Sequence, residues 1–139
     1  MRLKKCTDVP AAEVTMEGAR DCRVRWLIGE KDHAPNFAMR QFEVAPGGHT
    51  PKHFHDYEHE VYVLAGNGTL VDGDAERPLA AGDVVFVEPN DVHQFRNTGR
   101  EPMRFLCLIP NSATGKDVSV VPECGVESTP ARHAVDGHR

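Results

Sequence analysis

Short apolar runs, each closed by a turn signal, recur along most of the chain, and helical periodicity is nearly absent. Turn-forming triplets such as Gly66-Asn67-Gly68 and Asp72-Gly73-Asp74 separate these runs, and Pro46-Gly47-Gly48 ends an earlier one. The predicted strands are residues 23–28, 37–45, 51–55, 59–64, 69–71, 76–79, 84–87, 93–97 and 103–109. Closely spaced strands with no helix between them predict an all-β fold, an antiparallel barrel or jelly roll.

The length of 139 residues fits a single domain with a sizeable core. We expect a barrel over residues 21–112, preceded by a weakly patterned arm at 1–20 that docks on the barrel or on a second subunit. After Pro110 large apolar residues become rare, so residues 113–139 are predicted to form a tail. Within it, 118–121 could add an edge strand, and roughly 123–139 are expected to be mobile.

Charge and cysteine usage restrict the possible partners and the compartment. The formal net charge of −5 argues against a general binder of nucleic acid or anionic membranes, because both need a basic face. No apolar run is long enough to span a bilayer, and Met1 to Val9 does not read as a secretory signal. Four widely spaced cysteines without a CxxC pair then predict reduced thiols in a cytoplasm. They are Cys6, Cys22, Cys107 and Cys124.

Four of the eight histidines lie between positions 49 and 59. His53 and His55 are two residues apart, so on a strand they share one face. His59 shares a face with the apolar Val61 and is expected to point inward, and His93 begins another predicted strand. A single buried histidine is usually a hydrogen-bonded core residue, but four on inward faces would be costly to bury without a metal. The histidines placed in loops or in the tail, and not expected to be ligands, are His33, His49, His133 and His138.

The ligand types predict one divalent transition metal per chain, since imidazole suits Mn, Fe, Co, Ni, Cu and Zn alike. Two further residues have alternative interpretations. Cys107 is either a small core residue or a pocket thiol near the metal. Arg40 is either a surface residue of an alternating strand or an inward residue that binds a carboxylate or steers dioxygen. The apolar candidates for the wall of a substrate pocket are Trp26, Phe42, Val61, Val63, Phe95, Phe105 and Ile109.

The histidine segment resembles the first motif of the cupins, G-x5-H-x-H-x3,4-E-x6-G. Gly47, His53, His55 and Gly66 match in spacing, and His59 stands where the motif has glutamate. Glutamate is also available one residue later, but at the wrong spacing from Gly66 and on the opposite face. We therefore expect the metal ligands to be His53, His55 and His59, together with His93 from a second motif.

That second motif, G-x5-P-x-G-x2-H-x3-N, is similar to residues 82–97. Gly82, His93 and Asn97 match, whereas Glu88 replaces the proline and Asn90 replaces the glycine. Asparagine tolerates the left-handed backbone conformation, so the turn is expected to be kept. The resemblance covers about residues 1–112 and implies a cupin jelly roll of the small single-domain bacterial type. In that subgroup a four-histidine site usually holds manganese, and oxidative activities are suspected.

Three functions are compatible with these features. We expect a metal-dependent oxygenase or related oxidoreductase of the dioxygenase type that acts on a small apolar or aromatic substrate. The alternatives are a module that binds or senses a small anionic ligand without turnover, and a barrel with a structural metal. Arg40 and Cys107 are the candidate catalytic pocket residues. We also expect a homodimer that shares the segment 1–14 or an outer sheet face.

Overall fold

The computed structural model describes residues 1–113, 117–121 and 129–132. It contains strands and short 3-10 turns, and these residues contain no α-helix. The strands are β1 (Ala12–Glu13), β2 (Arg20–Ile28), β3 (Phe37–His49), β4 (His53–Phe54), β5 (His59–Ala65), β6 (Asn67–Asp72), β7 (Ala75–Ala80), β8 (Val84–Val87), β9 (His93–Arg96), β10 (Met103–Pro110), β11 (Asp117–Val120) and β12 (Thr129–Arg132). In this described part, no helix is long and apolar enough to cross a membrane.

The strands form one curled antiparallel sheet in the order β12-β11-β4-β9-β3-β10-β5-β8. β2 adds to β3 and β1 adds to β2, while β6 pairs with both β9 and β7. β3 is long enough to pair along most of its length with β2 and β10 and at its last residue, His49, with Arg96 of β9. This bridging strand curls the sheet into a barrel, which confirms the predicted antiparallel jelly roll.

The turn predicted at Pro46-Gly47-Gly48 is wrong, because β3 continues through these residues to His49. Gly47 takes a φ of +84°, and a Cβ on Gly48 would lie 2.6 Å from the carbonyl oxygen of Arg20. Here Gly48 permits the close approach of β2, Gly47 supplies the positive φ, and neither reverses the chain. Gly66 has a similar role, since its φ is +87° and a Cβ would lie 2.7 Å from the Pro102 oxygen.

The barrel interior is filled by alternate residues of the central strands. On β5 the burial alternates, with His59, Val61 and Val63 inside and the residues between them exposed. On β10 the side chains of Phe105 and Cys107 point inward and are 1% exposed. This alternation is the pattern expected of strands with one face on a core.

The N-terminal arm and the described part of the C-terminal segment both contact the rest of the sheet. In the N-terminal arm, Arg25 donates to the carbonyl of Val9, and Lys4 and Arg2 lie beside Asp32. At the other end β11 pairs with β4, and β12 pairs with β11 within the segment for which a mobile tail was predicted. The remaining tail residues, with Cys124, His133 and His138, lie outside the described residues.

Candidate metal centre

Three histidine side chains converge inside the barrel. His53 and His93 are directly opposite each other on β4 and β9, and His55 follows one residue after β4 ends. One ligand nitrogen from each of the three lies within 4.8 Å of the others. All three side chains are buried, with exposed fractions of 3 to 6%. The centre therefore brings three imidazoles to one point that solvent hardly reaches.

Hydrogen bonds fix the tautomer of each of these rings. The Nδ1 atom of His53, of His55 and of His93 lies 2.8 Å from a backbone carbonyl oxygen. A carbonyl can only accept, so Nδ1 carries the proton and Nε2 carries a lone pair in the neutral ring. The carbonyls belong to Pro51, Tyr57 and Asp91, respectively. Metal-binding histidines are oriented in this way, so the donor set fits a divalent transition metal.

The predicted four-histidine set is not confirmed, because His59 lies beside this group and not within it. Its ring centroid is 4.4 Å from that of His55 and 5.3 Å from that of His93. Burial lowers the pKa of His59 well below its ordinary value, and the positive charge of Arg40 lowers it further. The ring is neutral at pH 7, so a lone pair is available to an ion at the centre.

Tyr57 belongs to the centre, although the motif spacing did not single it out as a site residue. Its ring stacks on that of His55, with centroids 3.9 Å apart and planes 6° from parallel, and its carbonyl accepts the His55 Nδ1 proton. Tyr57 is 5% exposed. A signal was present in the sequence, since position 57 falls two residues after His55 and two before His59.

Gln94 and Thr50 support the ligand strand β9 and were likewise not predicted. Gln94 donates from Nε2 to the carbonyl of Thr50 at 2.9 Å, and the Thr50 hydroxyl accepts from the backbone N–H of Phe95 at 2.9 Å. These bonds hold the residues that follow His93. His49, predicted to be a solvated loop residue, is instead half-buried at the end of β3 beside Gln94.

Arg40 lies inside the barrel, so its interpretation as a surface residue is wrong. The side chain is 1% exposed, and its guanidinium carbon is 5.3 Å from the Trp26 ring and 4.9 Å from the Phe42 ring. One guanidinium N–H donates to the sulfur of Cys107 at 3.1 Å. Two aromatic rings and a polarisable thiol thus surround a buried positive charge.

The register places this charge close to the histidines. Arg40 is opposite Cys107, and Cys107 is opposite Val61, two residues from His59 on the same face of β5. Two residues along a strand correspond to about 7 Å. The effect of Arg40 on the pKa of His59 is consistent with this proximity. The guanidinium and the histidines therefore share the inner face of the barrel.

Aromatic side chains form a continuous apolar wall that begins at the centre. The ring of Phe95 is 6.5 Å from that of His93 and 4.7 Å from that of Phe105, which stacks on Phe42 at 5.3 Å. The predicted pocket residues that are buried in the core are Phe42, Val61, Val63, Phe95, Phe105 and Ile109. Trp26 is half-buried and packs against this core.

Asn90 and Asn97 hold the loops on either side of His93. Asn90 has a φ of +71°, as expected for an asparagine in place of the motif glycine, and its N–H donates to the carbonyl of His55 at 2.7 Å. Asn97 donates to the carbonyls of Val44 and Glu101, both at 2.8 Å. Both motif positions thus tie the ligand segments to neighbouring strands.

Comparison with known proteins gives a consistent family relationship. Residues 40–109 match the family described as "Cupin domain". The solved structure of the polyketide cyclase RemF from Streptomyces resistomycificus is 37% identical, covers 80% of each chain and superposes with a TM-score of 0.76. An oxalate-binding protein from Thermotoga maritima is 34% identical over 84 residues, 60% of this chain and 69% of that protein.

The similarity to a third protein is more local. A 1-methylthio-D-xylulose 5-phosphate methylsulfurylase from Rhodospirillum rubrum is 38% identical over 71 residues. That alignment spans 51% of this chain but only 46% of the relative. These relatives are a cyclase, a methylsulfurylase and an oxalate-binding protein, so the similarity alone does not single out one reaction.

Proposed function

The chain belongs to the cupin family, and from this premise we propose that it is a small metal-dependent oxygenase or related oxidoreductase of the dioxygenase type. The observation that carries the proposal is the convergence of three buried imidazoles, each with its Nδ1 proton held by a carbonyl. An aromatic wall starts at the same point, which favours a small apolar or aromatic substrate.

We assign the metal to His53, His55 and His93, with His59 as a fourth ligand, and manganese as the ion. Four neutral ligands would leave the full +2 charge of a divalent ion, so the centre would favour an anionic ligand. When bound, such an ion supplies Lewis acidity and open coordination positions for a substrate. His59 suits this role because burial keeps it neutral and its ring contacts the ring of His55.

Other residues of the barrel orient the substrate. We assign Arg40 to bind an anionic oxygen of the substrate, since it provides a buried positive charge on the same inner face as His59. Cys107 accepts a hydrogen bond from Arg40 and holds the guanidinium in place. The rings of Phe95 and Phe105 exclude water from the apolar part of the ligand.

A second candidate function is binding of a small carboxylate without turnover. The 34% identity to an oxalate-binding protein favours it, together with the buried guanidinium of Arg40. Both functions use the same histidines and the same buried guanidinium of Arg40. They differ in whether dioxygen is consumed when ligand and metal are both present.

The test begins with metal analysis of untagged protein by mass spectrometry, followed by dioxygen-electrode assays of manganese- and iron-loaded protein with aromatic and enol substrates. We expect about one equivalent of metal per chain and substrate-dependent dioxygen consumption. His55→Ala should lose the metal, whereas the matched variant His33→Ala, at an exposed position, should keep it. Tight oxalate binding without dioxygen consumption by any substrate would instead establish the binding function.

We also propose a cytoplasmic location, which the wide spacing of the four cysteines and their lack of a CxxC pair support. Fractionation of cells that produce the native chain tests this location. Recovery in an exported fraction would contradict it.

A further inference from the structure

A groove of about 540 Å³ lies between the first residues of the N-terminal arm and the outer face of β2 and β3. Residues 2–6 form one side of it, and the last residues of β2 together with Met39 form its floor. The groove is separate from the metal centre, because Trp26 and Arg40, which alternate with the floor residues along these strands, point into the barrel. Its volume is typical of pockets that hold small molecules.

The floor of the groove is apolar. Leu27 and Met39 are half-buried, and Ile28, which is 41% exposed, pairs in register with Met39. A register shift between Trp26 and Ile28 brings Ile28 to the same outer side of the sheet. The arm does not cover this floor with an apolar side chain of its own, since Leu3 lines the groove and yet is 100% exposed. Leu3 and the floor thus offer two apolar surfaces to one occupant.

The rim of the groove is basic, in a chain whose formal net charge is −5. Arg2, Lys4 and Lys5 line the rim, and among the described residues that line the groove one, Asp32, is a carboxylate. The Asp32 carboxylate lies 3.2 Å from the Lys4 ammonium and 3.5 Å from the Arg2 guanidinium, so two cations share it. The rim therefore keeps an excess of positive charge, which attracts an anion.

An alkyl chain with a carboxylate at one end matches both parts of the groove. The chain would lie on the floor beneath Leu3, and the carboxylate would lie at the rim beside the lysines. Lysine side chains suit this arrangement, because their stems lie along apolar surface while their ammonium groups stay in water. A small polar anion would leave the floor exposed to solvent, and an uncharged apolar molecule would leave the cations unused.

We propose that this groove is a second binding site, and that it takes an unbranched medium-chain carboxylate, that is, a fatty acid. The ligand contacts Leu3 on one side and the floor on the other, so it joins the arm to β2 and β3. It therefore also orders the first residues of the arm, which Arg2 and Lys4 attach to Asp32 through exposed and hence weak ion pairs.

Isothermal titration of the full, metal-loaded chain with decanoate tests this site. We expect one groove ligand per chain and a dissociation constant about 10-fold lower for decanoate than for octanoate, because two more methylenes are buried. Leu3→Ser should raise the dissociation constant of decanoate about 5-fold, and it should leave the fold intact because Leu3 is fully exposed. Lys5→Gln should raise it about 2- to 5-fold. The control Val84→Ser, at an exposed position of β8, should have no effect.

The same titrations in the Arg40→Met background separate the groove from the metal centre. This background lacks the residue assigned to bind an anion inside the barrel, so the effects of Leu3→Ser and Lys5→Gln should be the same there as in wild type. Hydrogen exchange of residues 2–6 should slow when decanoate is added, because the ligand holds the arm against the sheet. Failure of the proposed metal-dependent activity would leave both results unchanged.

Four results would overturn the inference. They are the absence of saturable decanoate binding, an equal affinity for acetate and decanoate, and wild-type affinity in both Leu3→Ser and Lys5→Gln. The fourth is binding to phosphatidylglycerol vesicles without binding of free decanoate, because the basic rim would then recognise a membrane surface. Loss of all decanoate binding in Arg40→Met alone would likewise contradict the groove, since it would place the ligand inside the barrel.

Discussion

Replacement of Arg40 by methionine should weaken the binding of an anionic ligand while the protein still folds. Methionine has a similar length and no charge, and it can pack between the Trp26 and Phe42 rings that now flank the guanidinium. Replacing a buried charge by an apolar side chain is often neutral or stabilising. One hydrogen bond that is lost has the thiol of Cys107 as its acceptor, and sulfur is a weak acceptor. We expect Arg40→Met to fold.

The expected change in stability is small. We estimate less than about 2 kcal/mol for the change in the free energy of unfolding, in either direction, from the balance of lost charge and retained packing. The entropy of unfolding of a chain of this length is about 0.3 kcal/mol/K, so the melting temperature should move by less than about 7 °C. Thermal unfolding followed by circular dichroism measures this shift.

The expected loss of anion affinity is larger than the change in stability. A hydrogen bond to a charged partner contributes about 1.5–3 kcal/mol, which corresponds to a rise of about 10- to 150-fold in the dissociation constant of a small carboxylate. Isothermal titration of metal-loaded protein with oxalate and with benzoate measures it. Arg100→Met removes the same charge at an exposed position and serves as the matched control. Carboxylate affinity of Arg40→Met equal to wild type would refute the role of Arg40 as an anion ligand.

Three further predictions concern stability and the arm. Gly66→Ala should lower the free energy of unfolding by about 2–3 kcal/mol, because the φ of Gly66 is +87° and the new Cβ would meet the Pro102 oxygen. The control Gly73→Ala has open space around the new Cβ and should lower the free energy of unfolding by less in the same thermal melt. Equal losses in the two variants would contradict the reasoning. Asp32→Asn should speed hydrogen exchange of residues 1–8, because Asp32 holds the arm and its pKa is lowered by the Gly29 N–H and by Lys4; unchanged exchange would show that other contacts hold the arm. In metal-free protein, the free energy of unfolding should keep its full value above pH 6.5. Below that pH it should fall by up to about 1.4 kcal/mol per pH unit, because the unfolded chain binds a proton that buried His59 does not. Urea unfolding of wild type and His59→Leu measures this slope, which should be shallower in the variant.

The fold is predictable from the sequence because the strands carry a period of two residues. The alternation of residue types in β5 predicts His59, Val61 and Val63 on the inner face, and the burial along that strand follows it residue by residue. Spacing also identifies His53, His55 and His93, since two of them share a strand face and the third follows a recognisable turn. Local periodicity and local spacing carry this information.

Other features depend on contacts between distant segments, and local patterns do not reveal them. Arg40 fits an outward position of an alternating strand equally well, and only the pairing of β3 with β10 shows it opposite Cys107. The triplet Pro46-Gly47-Gly48 has the composition of a turn, yet Gly48 permits β3 to lie close to the backbone of Arg20. β12 contains Pro130 and few apolar residues, so only its pairing with β11 identifies it as a strand.

The metal centre combines both kinds of information. Each Nδ1 bond joins a histidine to a carbonyl two residues away in sequence, so the tautomer and orientation of the rings are set by local loops. The convergence of the rings is set by the register of β4 on β9, which joins positions 40 residues apart at His53 and His93. An ion bound there would link the two segments directly, and binding energy that exists only in the folded chain adds to the stability of the fold. Ligand orientation therefore depends on local loops, whereas metal affinity depends on the pairing that closes the barrel, so the same three residues link the fold to the proposed activity.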